Sequence, residues 1–308
     1  MGVICSREVP AMKTFIRVAE VWLPDAGHTV LTYGAGVSGP EGQGFCASSQ
    51  AMRFKPGEGL PGLAWQQGRP MLLKQLHGLP FLRAEAAWAA RLSSAIALPV
   101  FVRGALTAVL VLFCGDDDEQ AGAIEVWRND PRITTDMTLV EGVYSHGADA
   151  LEAVSQDTYL PRGTGLPGLA WQQGRTVFME DLASAPRFLR GESARDAGIE
   201  RGLALPWPAH TQAEYVVALL SSSRTPVAQR VEGWTTGDAP QTLQRTFGFD
   251  ETEGPLGDAS LTLGPAQGLV GDAYLSGVPQ LKAQAEGSLV AVPVVSEGEV
   301  SEVVLLTL

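Results

Sequence analysis

GEGLPGLAWQQGR at residues 57–69 returns as GTGLPGLAWQQGR at residues 163–175, with one difference in thirteen positions. A third and weaker copy, AQGLVGDAYLSGVP from Ala266, keeps Gly268, Leu269, Gly271, Ala273 and Gly277 and puts Tyr274 where the others have Trp. Outward from each copy the same landmarks recur in the same order. AEVW (19–22), IEVW (124–127) and VEGW (231–234) precede the motif; strands ending in proline (IALPV, LALPW, VAVPV) and then apolar strands (LTAVLVLF, YVVALLS, VSEVVLLTL) follow it. A repeat about a hundred residues long is a whole domain rather than one turn of a solenoid. The pattern therefore predicts three tandem domains, 1–118, 119–225 and 226–308.

Within a unit, the ExW strand and the next apolar stretch read as a hairpin, split by turn formers such as Pro24-Asp25-Ala26-Gly27. The motif reads as a glycine loop entering a short helix. Gly59 suits a positive φ, Pro61 the first helical turn, and Gly68 the position just past the helix end. In the first unit Phe81, Ala84, Trp88 and Leu92 fall at helical spacing and predict a helix with one apolar face. Two closing strands complete an antiparallel sheet with helices packed on it, an α+β fold.

The motif, the FLRxExA segment behind it and the LALPV and VVxLL strand pair resemble GAF domains, the sensing and dimerising modules of signalling proteins. The resemblance covers nearly the whole chain in three copies and implies a sheet of about six strands with helices on both faces. It also implies a pocket between the sheet and the segment carrying the motif and the FLR helix. On that basis Trp65, Arg83 and Trp88 in the first unit, and Trp171, Arg190 and Arg195 in the second, are the candidate ligand-binding residues. Each has a plainer reading: the tryptophans as core anchors, the arginines as local ion pairs or caps. Trp88 aligns with Arg195, so pockets lined by that face would differ in charge.

The third unit departs from the pattern. Gly268 to Pro293 spans 25 positions, against 40 from Gly59 to Pro99 and 41 from Gly165 to Pro206. The residues that would form the covering helix are missing, and a small-ligand site needs enclosure. This unit is expected to be a docking or dimerisation surface.

Other chemistry finds little support. GxGLPG lacks the Lys of a phosphate-binding GxxxxGK[ST] loop. Cys5, Cys46 and Cys114 form no CxxC, and the histidines form no metal-binding pair. The GAF relatives that attach a tetrapyrrole need a cysteine near the covering helix, and residues 82–92 and 189–198 have none. The relatives that reduce free methionine sulfoxide need clustered thiols, for which Cys46 would need a resolving partner. FGFDE at 247–251 shares only three letters with the signature of the cyclic-nucleotide branch. No cofactor is named by any residue pattern.

The formal net charge of -12 gives no general attraction for nucleic acid or anionic lipid. The charge grows along the chain, at +1 (10 basic, 9 acidic), -5 (9 and 14) and -8 (3 and 11) in the three units. Apolar runs such as LTAVLVLFC fall short of the ~20 residues a membrane span needs, and the first residues lack a secretory pattern. The expectation is a cytoplasmic, non-enzymatic signalling or regulatory protein that reports through a separate output protein, with homodimer formation among its contacts. The competing reading is a scaffold whose domains no longer bind ligand.

Overall fold

The computed structural model describes residues 13–77, 81–115, 121–209, 213–239, 241–263, 268–284 and 287–308. Cys5, His210, the cut at 118 and the first two residues of the third motif copy lie outside them.

Three antiparallel sheets follow one another along the chain. The first holds β1 (Ile16–Pro24), β2 (Leu31–Ser38), β3 (Arg53–Phe54), β4 (Met71–Leu73), β5 (Leu92–Val102) and β6 (Ala105–Gly115), in the order β3-β2-β1-β6-β5-β4. Its helices are α1 (Gln43–Ser49), α2 (Gly59–Gln67) and α3 (Ala84–Ala89). The second repeats that order with β7 (Gly122–Asn129), β8 (Met137–Tyr144), β9 (Tyr159–Leu160), β10 (Val177–Met179), β11 (Arg201–Pro208) and β12 (Glu214–Ser221). Its helices are α4 (Asp149–Gln156), α5 (Gly165–Gln173) and α6 (Gly191–Asp196). The third sheet contains β13 (Arg230–Thr236), β14 (Thr242–Asp250), β15 (Gly254–Pro255), β16 (Ser260–Thr262), β17 (Gln280–Ala283), β18 (Ser288–Ser296) and β19 (Glu299–Thr307). It carries a single described helix, α7 (Gly268–Ser276), and none between β17 and β18, where the sequence is shortened.

The shared motif builds the same turn twice. Gly57 N–H donates to Gly62 O and Glu58 N–H to Lys55 O, as Gly163 does to Gly168 and Thr164 to Pro161. These loop amides are thus spent on the turn itself. Gly59 (φ 58°) enters α2, and Gly68 (φ 62°) ends it in the left-handed conformation, with Gly165 and Gly174 doing the same for α5.

The long strands are apolar on both faces because both faces are buried. One face of each sheet packs under its own helices: Trp22, Val109 and Phe113 with Phe45 and Ala64 in the first, Trp127 and Val216 with Leu151 and Ala170 in the second, and Val303 with Val270 and Ala273 in the third. The opposite faces meet each other. Leu98, Leu110 and Leu112 of the first sheet, Val126, Leu205 and Val217 of the second, and Val292, Val304 and Leu306 of the third belong to one central core. This corrects the expectation of helices on both faces. Among the described residues every helix lies on an outward face, because the inner faces are taken up by the neighbouring sheets.

Specific bonds close all three seams. Trp207 Nε1 donates to Pro99 O at 2.8 Å between the first and second sheets. Thr107 Oγ1 donates to Gly277 O at 2.6 Å, and Arg103 pairs with Glu299 at 2.8 Å, between the first and third. Thr176 N–H donates to Glu302 Oε2 at 2.8 Å, and Arg201 pairs with Glu251 at 3.0 Å, between the second and third.

The helix expected from the spacing of Phe81, Ala84, Trp88 and Leu92 is shorter than that spacing suggests. It stops at Ala89, and Leu92 already opens β5. Ala87 and Ala90 face inward, while Trp88 is 70% exposed.

Candidate functional site

Each ExW strand carries a glutamate on its helix-covered face: Glu20, Glu125 and Glu232, exposed by 0, 0 and 5%. The register places each opposite a glycine, Gly36, Gly142 or Gly248, and shifts by a bulge just before the tryptophan or beside it. The missing side chain on the partner strand leaves room above the carboxylate, and each unit fills it differently. A Cβ on Gly36 would meet the Tyr33 hydroxyl, one on Gly142 the Tyr144 ring, and one on Gly248 both Arg245 and Leu256.

A buried carboxylate costs several kcal/mol unless it is paired, and the FLR arginine supplies the partner in the first two units. Arg190 Nη1 donates to Glu125 Oε1, and Nη2 to Oε2 at 2.9 Å. Ser155, Tyr144 (2.8 Å) and Trp127 Nε1 (2.8 Å) complete the set of donors to Glu125. Burial acts to raise the Glu125 pKa, but the Arg190 charge and these hydrogen bonds hold it below the usual carboxylate value. Burial first, then the Glu125 charge, push the Tyr144 hydroxyl up, so it remains a donor.

The first unit has the same parts joined less completely. Arg83 reaches Glu20 through Nη1 alone, donating to Oε1 at 2.8 Å, and Ser49 donates to the same oxygen. Among the described residues Glu20 Oε2 and Trp22 Nε1 have no hydrogen-bond partner, although both side chains are fully buried. Arg83 lies against the rings of Phe45, Phe113 and Phe81, at 4.1, 5.2 and 5.5 Å from their centroids. In the third unit, which lacks an FLR segment, Arg245 from β14 and Arg230 take over, donating to the two oxygens of Glu232 at 2.8 Å each.

Beside Arg83 lies a cavity of about 50 Å³, walled by Met52, Phe54, Leu60, Phe81 and Phe113 among others. A groove of about 550 Å³ shares Met52, Phe81, Leu82 and Arg83 with it and opens to the surface past Ser48 and Glu85.

The six residues singled out in the sequence are dispersed. Arg83 and Arg190 are buried in the glutamate clusters, and Arg83 also walls the cavity. Trp65 is half-buried on α2, packed on the first outer core, and is not among the residues lining the cavity. Trp88 lies edge-on to His77 at the surface, with centroids 4.9 Å apart. Trp171 donates from Nε1 to Glu214 and receives Arg162 over its ring at 5.3 Å, so it belongs to the rim of β12. Arg195 is exposed and reaches Ala183 O at 3.5 Å. Sequence reasoning missed Glu20, Glu125, Glu232, Ser49 and Ser155. The available signal was an acid inside an otherwise apolar strand, two residues before a tryptophan, in every copy.

Cys46 is half-buried on the helix side of the first sheet, and its pKa is raised by burial and then by Glu20. Cys114 is buried on the opposite face, in the central core. The two thiols are therefore separated by the sheet. Among the described residues no cluster of three or more His, Cys, Asp or Glu is placed to hold a metal ion, and no helix is long and apolar enough to cross a membrane.

These features define an α+β protein of three antiparallel sheets, each covered by helices on its outward face and holding a buried glutamate–arginine pair there. No protein-family model and no curated protein matches the chain. Solved structures with GAF domains do. A GAF domain from A. aeolicus in an inactive state is 19% identical over 34% of this chain and 60% of its own, with a TM-score of 0.27. The GAF domain of a phosphoenolpyruvate-protein phosphotransferase from Acinetobacter is 21% identical over 32% and 54%, with a TM-score of 0.23. A free methionine-R-sulfoxide reductase from Neisseria meningitidis, in complex with its substrate, is 18% identical over 34% and 53%, with a TM-score of 0.25. The chain thus spans between 53 and 60% of the length of these three proteins.

Proposed function

We propose that this is a non-enzymatic regulatory protein made of three GAF-like units, divided near residues 118 and 225, whose first unit holds a small molecule and reports it to a separate output protein. The observation that carries this reading is the cavity walled in part by Arg83, whose buried partner Glu20 is bonded through one oxygen alone. In the second unit Trp127, Tyr144, Ser155 and Arg190 use both oxygens of the equivalent carboxylate, and in the third Arg230 and Arg245 do so. Those two units act as structural partners. The third, the most acidic and the one without an FLR segment, offers its outward face to the output partner.

The test is a thermal-shift screen of small metabolites against the native chain and against Val111→Phe, which adds a ring at a residue lining the cavity. A ligand should raise the melting temperature of the native chain and not that of the variant. Equal shifts in both would remove the first unit from the reading. A scaffold without ligand is the second reading, favoured by the fully bonded Glu125 cluster, and it expects no shift from any compound.

A further inference from the structure

We infer that the first-unit site selects an uncharged, mainly apolar molecule whose polar head is a lone hydrogen-bond acceptor, such as the carbonyl oxygen of a ketone or ester, placed against Arg83; this rests on the reading that the first unit holds a ligand. Three observations carry it. First, Arg83 lines both the cavity and the groove, and among the described residues along the cavity it alone has a polar side chain. The rest of that wall, with Phe54, Phe81, Val111 and Phe113, is apolar. Second, Arg83 has donors to spare. It gives Nη1 to Glu20 and Ser49, while Nε and Nη2 bond to none of the described residues, and neither is closed off as Glu20 Oε2 is. In the second unit the matching Nη2 of Arg190 is spent on Glu125 Oε2 at 2.9 Å. A guanidinium only donates, so what these N–H groups can take from a ligand is an acceptor atom. Third, the charge that would hold an anion is already answered. Glu20 lies 2.8 Å from Arg83, both side chains being buried, and Glu85 lines the groove. A carboxylate or phosphate head would put a second negative charge beside Glu20 and give up its hydration, and an ammonium head would meet donors with donors. The cavity of about 50 Å³ has room for a head of a few atoms, and Phe81 and Leu82 along the groove suit a flat apolar body.

The experiment measures dissociation constants of acetophenone, benzoate, ethylbenzene and benzylamine, which share a phenyl body and differ in the head, by ligand-observed magnetic resonance titration of the full chain. Acetophenone is expected to bind at least about tenfold more tightly than each of the others, a hydrogen bond from a charged donor being worth that factor or more. Val111→Phe should lose this binding, and Trp127→Phe, in the second unit, should keep it. Glu20→Gln should reverse the order of the two carbonyl heads, because it leaves the Arg83 charge unanswered; benzoate then binds more tightly than acetophenone. Equal or tighter binding of benzoate, ethylbenzene or benzylamine to the native chain overturns the selectivity, as does an unchanged order in folded Glu20→Gln protein. If that variant does not fold, the native ranking decides alone. Binding of none of the four overturns the selectivity as well. Whether the first unit holds any ligand is then decided separately, by whether protein from its own host retains a small molecule that Val111→Phe loses.

Discussion

Arg190 and Glu125 meet through two parallel hydrogen bonds, whereas Arg83 and Glu20, their counterparts one repeat earlier, share one. The difference is visible in the carboxylates: both oxygens of Glu125 are used, and Glu20 Oε2 is not. Removing one partner of a buried pair strands the other charge, at a cost of about 3–5 kcal/mol. Arg190→Met should approach that figure in urea unfolding, with Arg83→Met costing less, since fewer bonds are lost. Equal costs would mean that the two clusters are equivalent in solution.

The acid limb of stability separates two buried glutamates. Glu125 has its pKa lowered in the folded state, so its contribution is present above the ordinary carboxylate value and is lost as the pH falls through the folded one. Glu125→Gln should therefore flatten the loss of stability below about pH 4.3, the unperturbed glutamate value. Glu302 behaves oppositely. Burial raises its pKa, with the Thr176 N–H bond opposing, and its Oε1 has no partner. Ionising it costs stability as the pH rises above the ordinary value, so Glu302→Gln should raise the melting temperature at pH 7 and make no difference at pH 3. Thermal melts across that range check both signs.

Because the inner faces of all three sheets form one core, the chain should unfold in a single cooperative transition by calorimetry, with matching fluorescence and circular dichroism midpoints. Three separable transitions would show that the seams at Trp207, Thr107 and Thr176 bind only loosely.

Two glycines test the motif turn. A Cβ on Gly62 would lie 2.1 Å from Lys55 O, a backbone atom that cannot step aside, whereas one on Gly44 in α1 meets nothing within 4 Å. Gly62→Ala should destabilise by more than about 2 kcal/mol, in the range of overpacked cores. Gly44→Ala should be neutral or stabilising, by up to about 1 kcal/mol from helix propensity.

Much of this architecture is legible in the sequence, since the repeat marks the equivalent strands of each unit, the ExW strand and the next stretch read as a hairpin, and the Gly59 and Gly68 positions mark the turn. The central core was not legible. An inward strand face of Leu98, Leu110 and Leu112 reads the same whether a helix or another sheet covers it. Trp88 misled because a helix of little more than one turn buries alanines and leaves the large ring outside. Arg83 and Arg190 were legible as residues, but their partners lie 63 and 65 positions upstream, beyond any local pattern. The exchange of an FLR arginine for Arg245 in the third unit needs the β13–β14 register to be seen.

The most direct test of a ligand-holding first unit is native mass spectrometry of the chain purified from its own host. One small molecule retained per chain, lost from Val111→Phe and kept in Trp127→Phe, is the expected result. A chain of bare mass, or a molecule that survives Val111→Phe, would contradict it.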